Sequence, residues 1–140
     1  MTESKSAVPD DVLAILRSVD PGDQIALVGA SSNPGKYGNA ILVNLLSKGY
    51  AVVPVNPGER RIEGLAAYRT VGEIPGRVAI VNMVVPPAVG RKVLEGLSSD
   101  DVEVVWFQPG SADPELVAYA RTRFKYVIAD ACIMVVTSHI

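Results

Sequence analysis

Cysteine and histidine are nearly absent: one of each occurs in 140 residues, Cys132 and His139. A single thiol closes no disulfide within its own chain, and one cysteine with one distant histidine makes no soft-ligand metal site, so intrachain disulfides and structural zinc are excluded. Long apolar runs are missing too. A membrane helix requires roughly 18 to 20 uninterrupted apolar residues, and Asn82, Pro86 and Pro87 break the most apolar region. Met1 to Asp11 mixes Glu3, Lys5, Asp10 and Asp11 with small residues and offers no apolar core for a signal peptide, so a cytoplasmic protein away from membranes is expected. An excess of positive charge is also lacking, since 13 Lys+Arg against 15 Asp+Glu leave a formal net charge of -2. Non-specific nucleic-acid binding leans on a basic field that this chain does not carry. Aromatics are few, and Trp106, Phe107, Tyr119, Phe124 and Tyr126 fall inside predicted elements, where core packing accounts for them.

What is present is a strong apolar alternation. The 49% of hydrophobic residues suffices for one compact domain. Asp10 to Val19 places Leu13 and Leu16 at helical spacing, and Pro21-Gly22 ends that helix, so residues 1–23 are read as an N-terminal helix packed on a domain of residues 24–140. Ile25-Ala26-Leu27-Val28 is a continuous apolar run of the kind a fully buried strand shows. Tyr37 to Lys48 sets Ile41, Leu42, Leu45 and Leu46 on one helical face and stops at Gly49. A second strand follows over Ala51 to Val55, where Pro54 lacks a ladder donor and marks a strand end or a side free of pairing.

Gly58 to Ile74 reads mostly as loop, with one helical turn capped by Thr70. Val78 to Val85 is a third buried strand, and Pro86-Pro87 opens a helix that continues from Ala88 to Leu97. Val102 to Phe107 is the fourth strand; Asp113-Pro114-Glu115 supplies a cap, a first-turn proline and an early acid for a helix through Phe124. Tyr126 to Ala129 is the fifth strand, with Ile133 to Val136 a short strand continuation after a break. Strands alternating with helices imply parallel crossovers, so the expected fold class is α/β: a Rossmann-like, doubly wound parallel sheet of about five strands with helices on both faces.

In such sheets ligands bind beyond the carboxyl ends of the strands, bordered by the loop after the first strand. Here that loop is Gly29-Ala30-Ser31-Ser32-Asn33-Pro34-Gly35-Lys36. Small residues let backbone N–H groups approach a phosphate, Ser31 and Ser32 add hydroxyls, and Lys36 adds a full charge. The loop lacks the Gly-Lys-Ser/Thr ending of a phosphate-binding P-loop and the three spaced glycines of the dinucleotide fingerprint. After the second strand, where an Asp or Glu usually grips the ribose diol of NAD, stands Asn56-Pro57-Gly58-Glu59-Arg60-Arg61. An amide and two arginines suit a phosphorylated ribose better, as in NADP or coenzyme A.

The ordered set Val28-Gly29-Ala30-Ser31, Tyr37-Gly38, Lys48-Gly49-Tyr50, Val53-Pro54-Val55-Asn56-Pro57, Pro86-Pro87, Val105-Trp106-Phe107-Gln108-Pro109-Gly110 and Ala129-Asp130-Ala131-Cys132-Ile133-Met134-Val135 runs from about Gln24 to Val136. It resembles the stand-alone CoA-binding domain proteins, related to the N-terminal domain of the succinyl-CoA synthetase alpha subunit. The resemblance implies that the pyrophosphate of coenzyme A lies on Gly29, Ala30, Ser31, Ser32 and Asn33, with Lys36 and Tyr37 nearby. It implies the adenine between Asn56-Pro57 and Val85-Pro86, and the pantetheine arm running toward Gln108. Arg60 or Arg61 is the chemical choice for the ribose phosphate. The chain departs from the family at Ala131, where relatives carry Arg or Lys beside the cysteine, and at Pro109 after Gln108.

Catalysis finds little support. The synthetases phosphorylate a histidine beyond their CoA-binding domain, whereas His139 reads as a frayed polar tail. Cys132 reads first as a small buried hydrophobe, the sharper reading being a thiol near that of coenzyme A. Asp130 reads as a turn or cap residue. The expected function is therefore a non-catalytic carrier, sensor or complex subunit that binds coenzyme A or an acyl-CoA, with a protein partner or a second copy of itself. The alternative is a small NADP-linked oxidoreductase domain, for which Tyr119 and Arg123 have only the spacing of an active pair. Gly29→Val and Lys36→Glu are both expected to weaken the ligand without unfolding the domain.

Overall fold

The computed structural model describes residues 8–140, so the start of the segment 1–23 lies outside the described residues. Helix α1, Asp10–Ser18, opens with two carboxylates that complement the helix dipole and buries Val12 and Leu16. Strand β1, Gln24–Val28, runs into a loop and then helix α2, Tyr37–Ser47. Strand β2 is Val52–Val55, followed by a two-residue hairpin, β3 (Arg61–Ile62) and β4 (Leu65–Ala66), and a 3₁₀ turn at Val71–Glu73. Strand β5, Val78–Met83, leads into helix α3, Pro87–Glu95, with proline at the first helical position, where its missing N–H has no partner to lose. Strand β6 is Val104–Phe107. Helix α4, Pro114–Arg121, is capped by the Asp113 carboxylate, which accepts from the Leu116 N–H at 2.8 Å. Strand β7, Tyr126–Ile128, and helix α5, Ile133–Thr137, complete the chain.

The five long strands form one parallel sheet in the order β2-β1-β5-β6-β7. Period-two alternation divides each strand between two apolar layers. Ile25, Leu27, Ile80, Val104 and Trp106 face α1, α2 and α5, whereas Ala26, Val81, Met83, Val105 and Phe107 face α3 and α4. The doubly wound α/β expectation therefore holds. Trp106 and Phe107 are both fully buried, and the indole N–H donates to the Ala131 carbonyl at 2.8 Å, which satisfies its one polar group. Pro54 lies on the outer edge of β2. Its carbonyl accepts from the Tyr68 N–H at 3.0 Å on the side away from β1, so its missing donor costs no bond to β1.

Three local readings of the sequence change. The hairpin β3–β4 lies in the segment read as loop. Its turn places Glu63 and Gly64 at φ 51 and 78, a conformation that glycine permits at its second position, and Ile62 anchors it in the core at 1% exposure. Strand β5 stops at Met83, two residues before Val85, because Val84 and Val85 lead out to the Pro86 cap. Ile133 to Val136 forms the helix α5 and not a strand. Ile133 is buried against the layer of α2, and Lys48 Nζ, just beyond α2, donates to the Met134 carbonyl, Thr137 Oγ1 and Ser138 Oγ at 2.9, 2.8 and 2.9 Å. Tertiary capping outweighs the strand preference of an Ile-Met-Val-Val run.

One backbone contact aligns β1 with α2. A Cβ placed on Gly38, in the first turn of α2, would overlap the Gly29 carbonyl oxygen and stand 3.0 Å from its carbon. Neither atom can swing away, because both belong to backbone. Gly38→Ala is therefore expected to destabilise the domain by about 3 kcal/mol, read as a lower urea midpoint at an unchanged slope. A midpoint equal to wild type would show that the contact is not under this constraint.

Candidate functional site

The order β2-β1-β5 places the reversal of the sheet between β1 and β5. From there the connections run to opposite faces, so the carboxyl ends of these two strands part and leave a crevice. Gly29 stands at its mouth with φ 98; a Cβ there would lie 2.9 Å from Val85 Cγ1 and 3.3 Å from the Val84 backbone. Gly29→Val is thus a fold-straining change as well as a site change, contrary to the expectation from sequence. Lys36, fully on the exposed loop, remains the cleaner probe.

The loop after β1 holds its shape with its own side chains. Ser31 Oγ accepts from the Asn33 N–H at 3.0 Å, Asn33 Oδ1 accepts from the Gly35 N–H at 2.9 Å, and Asn39 Nδ2 donates to the Ser31 carbonyl at 2.9 Å. Ala30 is buried, while Ser32, Asn33 and Lys36 are exposed. Asn56 works as a clasp: its Nδ2 donates to the Ala30 carbonyl at 2.9 Å and its Oδ1 accepts from the N–H groups of Gly58 and Glu59 at 2.7 and 3.0 Å. The end of β2 is thereby tied to the end of β1.

A cleft of 480 Å³ brings Gly29, Pro57 and Val85 together, and adds Arg69 and Lys92. Neither cation stands out in the sequence, since Arg69 lies in the irregular segment after the hairpin and Lys92 on α3, distant in the chain. Arg60 lines a neighbouring hollow of 460 Å³ with Asn56, Glu59 and Arg69. Arg61 is turned onto its own hairpin, where its guanidinium donates to the Gly64 carbonyl at 2.9 Å. Pro86 is exposed at the cap of α3.

Tyr37 and Gln108 meet elsewhere on the same edge, beside Cys132. The Gln108 side chain is 1% exposed, and its Oε1 accepts from Asn82 Nδ2 at 3.1 Å and from the Ile133 N–H at 2.9 Å. With that oxygen fully committed, Nε2 must point outward, where it donates to Tyr37 Oη at 3.0 Å and to Cys132 Sγ at 3.3 Å. Tyr37 Oη and Cys132 Sγ are themselves 3.3 Å apart. Burial is the strongest single influence on the thiol and opposes its ionisation. Hydrogen bonds from Tyr37, Gln108 and the N–H groups of Val135 and Met134 together outweigh it and hold the pKa below the usual thiol value. Burial and the neighbouring sulfur push the Tyr37 phenol the other way, above its usual value. Cys132 is thus half-buried within a polar cluster, not a plain core residue.

The remaining residues weighed from sequence have other places. Asp130 is exposed at φ 63 and lines a hollow of 640 Å³ with Pro109, Gly110 and Arg121. The cap position of α5 belongs to Cys132. His139 is exposed, and its Nδ1 lies 2.8 Å from the Val135 carbonyl. The Tyr119 ring is covered by Arg91 and Arg123, whose guanidinium carbons lie 4.1 and 5.4 Å from its centroid. That stacking commits the phenol of the proposed oxidoreductase pair to packing between helices.

A doubly wound parallel sheet with a glycine-mouthed crevice at its reversal point defines a Rossmann-like α/β domain. The model of the CoA-binding domain family matches residues 23–138, and the chain belongs to that family. It is 32% identical over 126 residues to the alpha subunit of an ADP-forming acetate–CoA ligase (II) of Pyrococcus furiosus; that match takes in 82% of this chain and 28% of the subunit, so the chain spans under a third of that relative. It is 30% identical over 112 residues to the uncharacterized protein YneT of Bacillus subtilis, with 80% and 83% of the two chains covered. The solved structure of a conserved hypothetical protein from Pyrococcus furiosus superposes with a TM-score of 0.71 at 45% identity, covering 81% of this chain and 97% of that one.

The polar cluster makes a measurable statement about Cys132. Because the lowered pKa keeps thiolate present below the usual thiol range, alkylation by iodoacetamide should have its pH midpoint below that of a free cysteine peptide. Gln108→Leu, which removes one of the donors, should move that midpoint upward. A midpoint at or above the peptide value in wild type would contradict the hydrogen-bonded thiolate.

Proposed function

We propose that the chain binds coenzyme A or an acyl-CoA along the carboxyl edge of its sheet, as a non-catalytic carrier, sensor or complex subunit in the cytoplasm. One observation carries this reading: the crevice has a backbone position that no side chain can fill, Gly29, facing the apolar pair Pro57 and Val85, with Arg69 and Lys92 on the same walls. A flat adenine between Pro57 and Val85 would be sandwiched by apolar surface. The N–H of Ser32, with Lys36, suits a pyrophosphate, while the N–H of Asn33 is engaged by Ser31 Oγ. Arg69, Lys92 and Arg60 are the cations within this region for the ribose phosphate, whereas Arg61 is engaged by its own hairpin. The pantetheine arm then leads toward Tyr37 and Cys132, with Gln108 acting from beneath through both.

Relatives named as alpha subunits of larger ligases support a role as a complex subunit, and a homo-oligomer fits equally. The reading is of a binding protein without turnover of its own; among the described residues Cys132 stands beside Tyr37 and Gln108, neither of which is a general base for it.

Thermal scans decide between coenzyme A and the dinucleotides. A ligand at about 100 times its Kd stabilises the folded state by roughly 2.7 kcal/mol. At equal concentrations, coenzyme A should raise Tm most, dephospho-CoA less, and NAD least, with Lys36→Glu and Arg69→Ala each reducing the shift from coenzyme A. A larger shift with NADP than with coenzyme A would overturn the reading in favour of the oxidoreductase alternative.

A further inference from the structure

The segment after β2 brings one carboxylate, Glu59, onto the loop after β1 and a second, Glu63, onto the first turn of α2. Asn56 Oδ1 accepts from the Glu59 N–H at 3.0 Å and so fixes where that residue begins; the Glu59 side chain then reaches back, and its Oε2 accepts from the Ser32 N–H at 3.3 Å. Four residues on, at the hairpin turn, Glu63 Oε2 accepts from Asn39 Nδ2 at 2.8 Å, and the same amide donates to the Ser31 carbonyl. The body of the hairpin is anchored. Ile62 is 1% exposed, and the strand-like pairing of Tyr68 with Pro54 and Asn56 holds its base at 3.0 and 2.9 Å. The Glu59 side chain, held at the loop by this one hydrogen bond, can turn away from it by rotating about its own bonds while the backbone stays in place.

A backbone N–H in the small-residue loop that leads into a crossover helix attracts anions, and a carboxylate oxygen is an anion. Ser32 N–H therefore already serves one. We propose that Glu59 is a built-in competitor for phosphate: its carboxylate holds the Ser32 N–H, and an anionic ligand binds at this loop only by displacing it. This rests on the assignment of the loop to a phosphate group of the ligand. The competition sets a threshold. Small anions with a single weak hold are screened out, while a ligand that also anchors at Pro57 and Val85 has binding energy left over to turn Glu59 away. Glu63, whose carboxylate accepts from the buried Asn39, brings a second acidic side chain near the loop and adds to the barrier against anions that bring no other contact.

The test titrates wild type, Glu59→Gln and Glu59→Ala with coenzyme A and, separately, with inorganic pyrophosphate. An occupied site lowers apparent affinity by the fraction of molecules in which it is free, and one long, solvent-facing contact of ordinary hydrogen-bond strength corresponds to about a fivefold effect. Glu59→Ala should tighten both ligands by about fivefold, with Glu59→Gln between it and wild type because an acceptor remains without the charge. The amide of Ser32 should also exchange faster with solvent in Glu59→Ala before any ligand is added. Unchanged or weaker binding in both variants, each folded by circular dichroism, would overturn the proposal. If Glu59→Ala fails to fold, Glu59→Gln carries the comparison on its own. Pyrophosphate binding that tightens while coenzyme A binds no variant would leave the competitor standing and sink the coenzyme A reading, and binding of neither ligand to any variant would sink both.

Discussion

The carbonyl of Gly29 and the first turn of α2 meet with no side chain between them, and the geometry of the carboxyl edge depends on that contact. Because Gly38 brings the helix directly onto the end of β1, the next residue, Asn39, is buried close enough to bond the Ser31 carbonyl and the Glu63 carboxylate. The preceding residue, Tyr37, is carried to the opposite side and leans on Gln108 and Cys132. A single Cβ at position 38 would push the helix outward and separate these partners together. The loop is therefore shaped less by its own flexibility than by the closeness of the two elements it joins.

Beneath the edge, the apolar layer gives way to a short polar column. Asn82 is fully buried in β5, and its amide holds the Gln108 oxygen, which also serves the Ile133 N–H that starts α5. The two donors that converge on the Gln108 oxygen fix which way that amide points, while Asn82 Oδ1 is left buried without a partner among the described residues. The thiol of Cys132 receives a donor as a consequence. Lys48 secures the same short helix from its other end, so both termini of α5 depend on residues from other elements.

Charge is nearly balanced over the whole chain, yet it is sorted by place. Arg69 and Lys92 lie on the cleft walls, Lys36 on the loop, Glu59 reaches onto that loop from the end of β2, and Glu63 reaches Asn39 of α2 from the hairpin turn. Cationic and acidic side chains from separate segments thus stand along one edge of the sheet. A net charge near zero conceals this arrangement.

Much of the architecture is legible in the chain itself. Period-two and period-3.6 apolar patterns, Gly29, Pro87 and the Asp113 cap act over a few neighbouring residues, and such local requirements determined the βα order, the strand positions and the loop that borders the crevice. Pro54 even marked the edge of the sheet. The hairpin at Arg61–Ala66 escaped because two-residue strands are too short to show a period, and α5 escaped because its caps come from Lys48 and Gln108, far away in sequence. The same distance explains why Arg69 and Lys92 gave no signal beside Gly29, and why Cys132 read as core. What the sequence determined by itself was every feature set by neighbours along the chain; which side chains share the crevice, and what each one bonds, was decided only when the sheet brought residues from separate elements to one edge.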